Sequence, residues 1–226
     1  MTLKIYKHLD QGSDAWHDAR RGIVTASVVG KLLTPTLKVA DNEASRGLTA
    51  TLVAERISGF TEDTPMTSDM WRGVDSEPIA RDLYSARYAP AGEIGFMRLD
   101  EDWGTLGYSP DGLVGNDGLI EIKAPRAKTH VLTILADKVP DYYMGQLQAG
   151  LLVSGRKWID FVSYCGGLPL WVKRVYPDPD WHEAITAAVT QFETKAAEMT
   201  AAYDIAASGL AATERIDFNN VELKLA

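Results

Sequence analysis

The run from Leu106 to Pro125, LGYSPDGLVGNDGLIEIKAP, constrains this chain more than any other stretch of it. Asn116-Asp117-Gly118 is a reversal signal, and Leu119, Ile120, Glu121, Ile122 and Lys123 then alternate with the period of a strand leaving a hairpin. Successive strand side chains face opposite ways, so Glu121 and Lys123 share one face while Ile120 and Ile122 take the other. Asp111 follows a Ser-Pro step that disfavours helix and precedes a Gly, so the hairpin can carry its carboxylate beside that of Glu121. Two carboxylates and a lysine on a rigid frame form a hard-cation site with a built-in proton or charge handler. The same residues, read alone, are also an ordinary turn and a solvated Glu–Lys pair of little energetic weight.

Around this centre the chain reads as alternating helices and strands. Residues 13–33 carry two helix starts, at Ser13-Asp14 and at Thr25 to Ser27, separated by Gly22. Arg20 and Arg21 end the first helix where the second begins, so guanidinium, hydroxyl and helix N-terminal amides can converge on a phosphate. Plain capping of each helix by its own residues is the competing reading, and Trp16 reads as core. A loop over 34–42 leads to an amphipathic helix from Glu43 to Gly59. The polar stretch 61–69 is a loop, with Met66 and Met70 as apolar groups near a channel or in packing. A helix then spans Met70 to Arg87. Within it, Pro78 marks the first turn and leaves Glu77 near the cap, as a site acid or as an acid favoured by the helix dipole. Residues 93–99 read as a strand, 127–137 as a helix or turn, and 140–153 as a helix bearing Gln146 and Gln148. Strands over 157–164 and 168–176 meet at Gly166-Gly167 and extend the hairpin's sheet. An Ala-rich helix spans 181–207, and residues from Ser208 form a tail of no assigned structure.

Length and charge narrow the function classes. At 226 residues the chain suits one sizeable domain. No apolar run approaches the roughly 20 residues that span a bilayer, and the first residues lack a signal peptide's apolar core, so the expectation is a soluble cytoplasmic protein without a membrane partner. Cys165, the single cysteine, forms no internal disulfide and holds no iron–sulfur cluster. A net charge of -8 argues against a protein that coats DNA by general electrostatics. It leaves room for an enzyme whose acidic site is offset by bound cations.

Pro110-Asp111, a hairpin's length, then Glu121-x-Lys123 resembles the PD-(D/E)xK signature of metal-dependent nucleases. The segments AWHDARRGIVTAS, WRGVDSE ending in Glu77, GYSPDGL, IEIKAP and YYMGQLQ are similar, in order and rough spacing, to the lambda-type phage exonucleases, the viral recombinase nucleases. The resemblance covers roughly residues 10–175. It implies an α/β fold, a central mixed β-sheet flanked by helices with a restriction-endonuclease-like core. One nuclease domain then spans 1–226, its core at about 10–176 and its C-terminal helix and tail at 177–226.

The resemblance further implies a processive 5'-to-3' exonuclease on linear double-stranded DNA that leaves a 3' single-stranded tail for recombination by annealing. The cofactor implied is Mg2+, two ions per active site, with Mn2+ as a substitute. Asp111, Glu121 and the backbone carbonyl of Ile122 become metal ligands, and Glu77 an auxiliary acid acting through water. Lys123 orients or deprotonates the attacking water and steadies charge on the phosphate. Arg20, Ser27, Ser109 and Gln146 become a pocket for the terminal 5'-phosphate. Partners implied are 5'-phosphorylated duplex ends, two further copies in a toroidal homotrimer, and a phage single-strand annealing protein, in a bacterial host cytoplasm. The chain departs from its relatives after the helical glutamine, where they often carry a tyrosine and this sequence has Leu147, Gln148, Ala149 and Gly150. Gln146 and Gln148 are therefore alternatives for one role. Other readings are a single-strand exonuclease or structure-selective endonuclease on the same core, a silent end-binding subunit, and a metal-dependent hydrolase of some non-nucleic substrate.

Overall fold

The structure, a computed structural model, describes residues 2–62 and 65–214. The chain runs β1 (Thr2–Tyr6), α1 (Asp14–Arg20), β2 (Val24–Thr25), α2 (Ala26–Val29), a 3-10 turn (Gly30–Leu32), α3 (Glu43–Ser58) and α4 (Ser68–Arg87). It continues through β3 (Ala91–Gly92), β4 (Phe96–Glu101), β5 (Gly104–Tyr108), β6 (Gly112–Val114), β7 (Gly118–Lys123), α5 (Ala127–Ala136), α6 (Asp141–Ser154), β8 (Trp158–Ser163), β9 (Trp171–Val175) and α7 (Pro179–Ala207). Residues 215–226, the end of the tail, lie outside the described residues.

The α/β class holds, but the strands divide between two mixed sheets instead of forming one. The first has the order β1-β4-β5-β2 and the second β3-β6-β7-β8-β9. The break falls at Ser109-Pro110, between β5 and β6, where a proline without an N–H cannot continue a ladder. Each sheet contains one parallel pair, β2 with β5 and β7 with β8. The edge strand β1 pairs antiparallel with β4 and is an element the sequence reading lacks. Its Leu3 and Ile5 are both exposed, so the period-2 signal is carried by side chains that build no core.

The alternation of β7 distributes its residues as expected. Ile120 and Ile122 pack with Ala80 and Tyr84 of α4, while Leu119 joins the larger core shared with α6 and α7. The expected position of Pro78 is not observed. α4 starts ten residues earlier, with Thr67 as its cap, and carries Pro78 in its interior. Proline leaves the carbonyl of Val74 without its helical donor, and the break is tolerated because that turn faces water, Val74 being 55 % exposed. Glu77 is thus a mid-helix residue, and the helix dipole has no part in its placement.

Helix α6 reaches the site because it is allowed to approach closely. A Cβ on Gly150 would lie 2.8 Å from the ring of Tyr108. Gly150→Ala is expected to push that ring away and to cost about 1–3 kcal/mol of stability. The urea midpoint checks this; an unchanged midpoint would refute the tight α6–β5 packing.

Candidate active site

Glu121 is 1 % exposed, too deeply buried to be one half of a solvated pair. Its Oε1 accepts from Lys123 Nζ at 2.7 Å and from the Gln146 amide, and its Oε2 accepts from the Tyr108 hydroxyl at 3.1 Å. A carboxylate taken out of water needs such compensation from charge and donors. The hairpin register pairs Gly112 with Ile120, and one more step sets Asp111 opposite Glu121. Asp111 Oδ2 accepts the Ile122 N–H at 2.6 Å. The N–H and C=O of one strand residue point to the same side. The Lys123 carbonyl turns the other way, to the N–H of Tyr164. The Ile122 carbonyl therefore faces the side where Asp111 sits.

Like charges are crowded into this small volume. Burial and the neighbouring Glu121 push the Asp111 carboxyl well above the ordinary carboxylate range. Burial also raises Glu77, against the pull of the Arg81 guanidinium. Burial alone would depress Lys123, but the Glu121 and Asp111 carboxylates outweigh it and hold the ammonium above the usual lysine range. The centre is short of positive charge by itself. Among the described residues no three His, Cys, Asp or Glu side chains form a ready-made metal cage. Two carboxylates set side by side, at Asp111 and Glu121, are a donor set that suits Mg2+, which takes one or two carboxylates and keeps several waters. Asp111, Glu121 and the Ile122 carbonyl would hold such an ion.

A second cluster adjoins the first through the chain itself. β2 and β5 are parallel with Thr25 opposite Gly107, and Ser27 and Ser109 each lie two residues further on, at the same end of the sheet. Ser109 Oγ accepts from the Trp16 indole N–H at 2.9 Å and is approached by Arg20 Nη1 at 3.5 Å. The hydroxyl keeps its own proton to donate. The Arg20 guanidinium lies over the Trp16 ring, 3.7 Å from its centroid. Burial pulls Arg20 down to about 10, partly offset by Glu55, so it remains a cation at neutral pH. Ser27 is exposed, and its hydroxyl meets Thr25 Oγ1 at 3.1 Å.

The expected residues therefore fall into two groups. Asp111, Glu121, Ile122 and Lys123 come together, with Glu77 within electrostatic reach of the carboxylates. Arg20 and Ser109 form the other group. Gln146 binds Glu121, so its place is beside the carboxylates. Gln148 leaves contention: its side chain is buried and ties the Tyr176 carbonyl and the Asp178 N–H to α6. Trp16 is no core residue, since α1 buries none, and an indole N–H needing a partner one turn before Arg20 was the signal for its role. Tyr108 and Arg81 are further members that the sequence reading did not find. Tyr143 also belongs, its ring centroid 5.6 Å from Lys123 Nζ.

Known proteins resemble this chain in sequence and fold. The family model described as the YqaJ-like viral recombinase domain matches residues 15–157. An alkaline exonuclease from Laribacter hongkongensis, LHK-Exo, is 32 % identical, with a TM-score of 0.78 over 88 % of this chain and 100 % of that one. The same enzyme in complex with dAMP gives 33 % identity and a TM-score of 0.77 with equal coverage. A phage-related exonuclease from Haemophilus somnus 129PT shares the fold at 12 % identity, with a TM-score of 0.58 over 78 % of this chain and 96 % of that one. No curated protein matches the sequence.

Proposed function

The chain belongs to the YqaJ-like viral recombinase family, a nuclease related to alkaline exonucleases, and from this premise we propose that it degrades one strand of linear duplex DNA from its 5' end in a Mg2+-dependent, processive reaction. The observation that carries this reading is one short segment. Tyr108 bonds Glu121, Ser109 meets Trp16 and Arg20, and Asp111 faces Glu121. Ser109 and Asp111 are two positions apart, a Cα distance of at most about 7 Å. A terminal phosphate gripped at Arg20 and Ser109 sets the next phosphodiester at the carboxylates, so each cut releases a mononucleotide and creates a new end to grip. The dAMP complex of LHK-Exo agrees with such a product.

Mg2+, when bound, supplies Lewis-acid stabilisation of phosphate charge and a more acidic water. Asp111, Glu121 and the Ile122 carbonyl would hold the cation, and Glu77 would orient water beside it. Lys123, whose ammonium the Glu121 and Asp111 carboxylates favour in the metal-free protein, orients or deprotonates the attacking water and steadies charge on the phosphate. Arg20 and the Ser109 hydroxyl bind the terminal phosphate, and Ser27 joins them from the start of α2. Gln146 fixes the Glu121 carboxylate. The 3' tail serves recombination through a single-strand annealing partner, and a toroidal homotrimer in a bacterial cytoplasm accounts for processivity. No helix among the described residues is long and apolar enough to cross a membrane.

The direct test is digestion of a linear duplex labelled at the 5' or 3' end, in Mg2+ and in EDTA. Prompt Mg2+-dependent release of the 5' label as a mononucleotide is expected; internal cuts or release from the 3' end would overturn the reading. Arg20→Ala is expected to lower the rate on 5'-phosphorylated ends at least about tenfold, the loss of one charge-assisted contact worth about 1.5–3 kcal/mol. Rates on 5'-hydroxyl ends should change little. An unchanged ratio of the two rates would remove Arg20 from the phosphate pocket.

A further inference from the structure

We infer that Arg81 is the positioning residue of the cation site, a fork that fixes Asp111 and Glu77 relative to each other; the inference rests on the nuclease reading above. Arg81 lies on α4, one turn after Glu77, and is 8 % exposed, rare for an arginine. Every arm of its guanidinium is engaged. Nε donates to the backbone carbonyl of Asp111 at 2.7 Å, Nη2 to Glu77 Oε1 and Nη1 to Glu93 Oε1.

Asp111 is thereby pinned at two points. Its carbonyl is held by Arg81 of α4 and its carboxylate by the Ile122 N–H of β7. The Ser109-Pro110-Asp111 link belongs to neither sheet, so no ladder holds it. Arg81 is what docks that link against α4. Its bond to Glu77 uses one carboxylate oxygen of that residue and leaves the other for water. A planar fork with fixed donor directions can serve three acceptors at once, and a lysine ammonium on a flexible stem cannot reproduce their spacing. Partners behind a metal's own ligands orient those ligands, and their loss commonly weakens cation affinity about 10–100-fold.

The test measures Mn2+ binding to the metal-free protein by electron paramagnetic resonance, alongside DNA hydrolysis as a function of Mg2+ concentration. Arg81→Lys keeps the charge and removes the fork; Arg81→Met removes both. Arg81→Lys is expected to bind Mn2+ at least about tenfold more weakly and to need correspondingly more Mg2+ for half-maximal rate. At saturating Mg2+ its rate should recover to within a few-fold of wild type, a split that a general loss of fold would not produce. Circular dichroism confirms that the variants compared are folded, and Arg81→Lys decides the matter if Arg81→Met does not fold. Wild-type Mn2+ affinity in folded Arg81→Lys, or a rate that no Mg2+ concentration restores, overturns the inference. Failure of the wild-type protein to bind Mn2+ or to cut DNA would instead sink the nuclease reading itself.

Discussion

Lys123→Ala is expected to slow hydrolysis of a 5'-phosphorylated duplex about 10²–10³-fold at saturating Mg2+, the usual loss when one preorganised donor to a developing oxyanion is removed. The ammonium stands 2.7 Å from Glu121, and the Glu121 and Asp111 carboxylates hold it above the usual lysine range in the metal-free protein; on the proposed reading it supplies positive charge toward the reacting phosphate. The same substitution leaves Glu121 buried without its cation. Only the Tyr108 hydroxyl and the Gln146 amide then remain to compensate it. Breaking such a buried pair costs about 3–5 kcal/mol, which lowers the melting temperature of the metal-free variant. Added Mg2+ should restore much of that loss, since a cation bound beside Glu121 replaces the missing charge. Single-turnover rates and thermal melts in EDTA and in Mg2+ check both halves. A rate within a few-fold of wild type would remove Lys123 from the chemistry.

How much of this was legible in the sequence depends on whether a role is set by neighbours in the chain or by neighbours in space. The hairpin was readable because turn residues and period-2 alternation are local signals, and the register that follows sets Asp111 opposite Glu121. Helix α3 was readable from its apolar spacing and its terminal Gly59, which adopts the left-handed conformation that ends helices. Glu77 is misplaced within its helix because local proline rules are overridden: α4 continues through Pro78 and packs Ala80 and Tyr84 against β7. The division into two sheets depends on which strands find each other across the fold; Pro110 marks where a ladder stops but not which partners β5 and β6 then take. Arg81 and Tyr108 were invisible for the same reason, since their partners lie 30 and 13 positions away. Trp16 was read as core because tryptophan usually is; its indole bond to Ser109, 93 positions away, is what draws it to the site.

The electrostatic strain at Asp111 gives a prediction of opposite sign for activity and for stability. Asp111→Asn keeps a side-chain oxygen to accept the Ile122 N–H and removes the charge. Hydrolysis should fall on the order of 10³-fold, because the transition-state stabilisation supplied through the cation is worth several kcal/mol and this carboxylate helps to hold that cation. The metal-free variant should nevertheless be more stable than wild type at neutral and alkaline pH. The direction follows from linkage. Burial and Glu121 raise the Asp111 carboxyl above its unfolded value, so folding favours its protonated form. Stability from this group is then fully present below the unfolded carboxylate range and is lost as the pH rises through the raised folded value. Asparagine has no proton to give up and escapes that loss. Melts in EDTA across the pH range should show the wild-type protein losing stability relative to Asp111→Asn as pH increases, and Mg2+ should reverse the order by stabilising only the protein that binds it. An Asp111→Asn protein that melts below wild type in EDTA at every pH would show that Asp111 and Glu121 are not in electrostatic conflict. The fit of this centre to a divalent cation would fall with it.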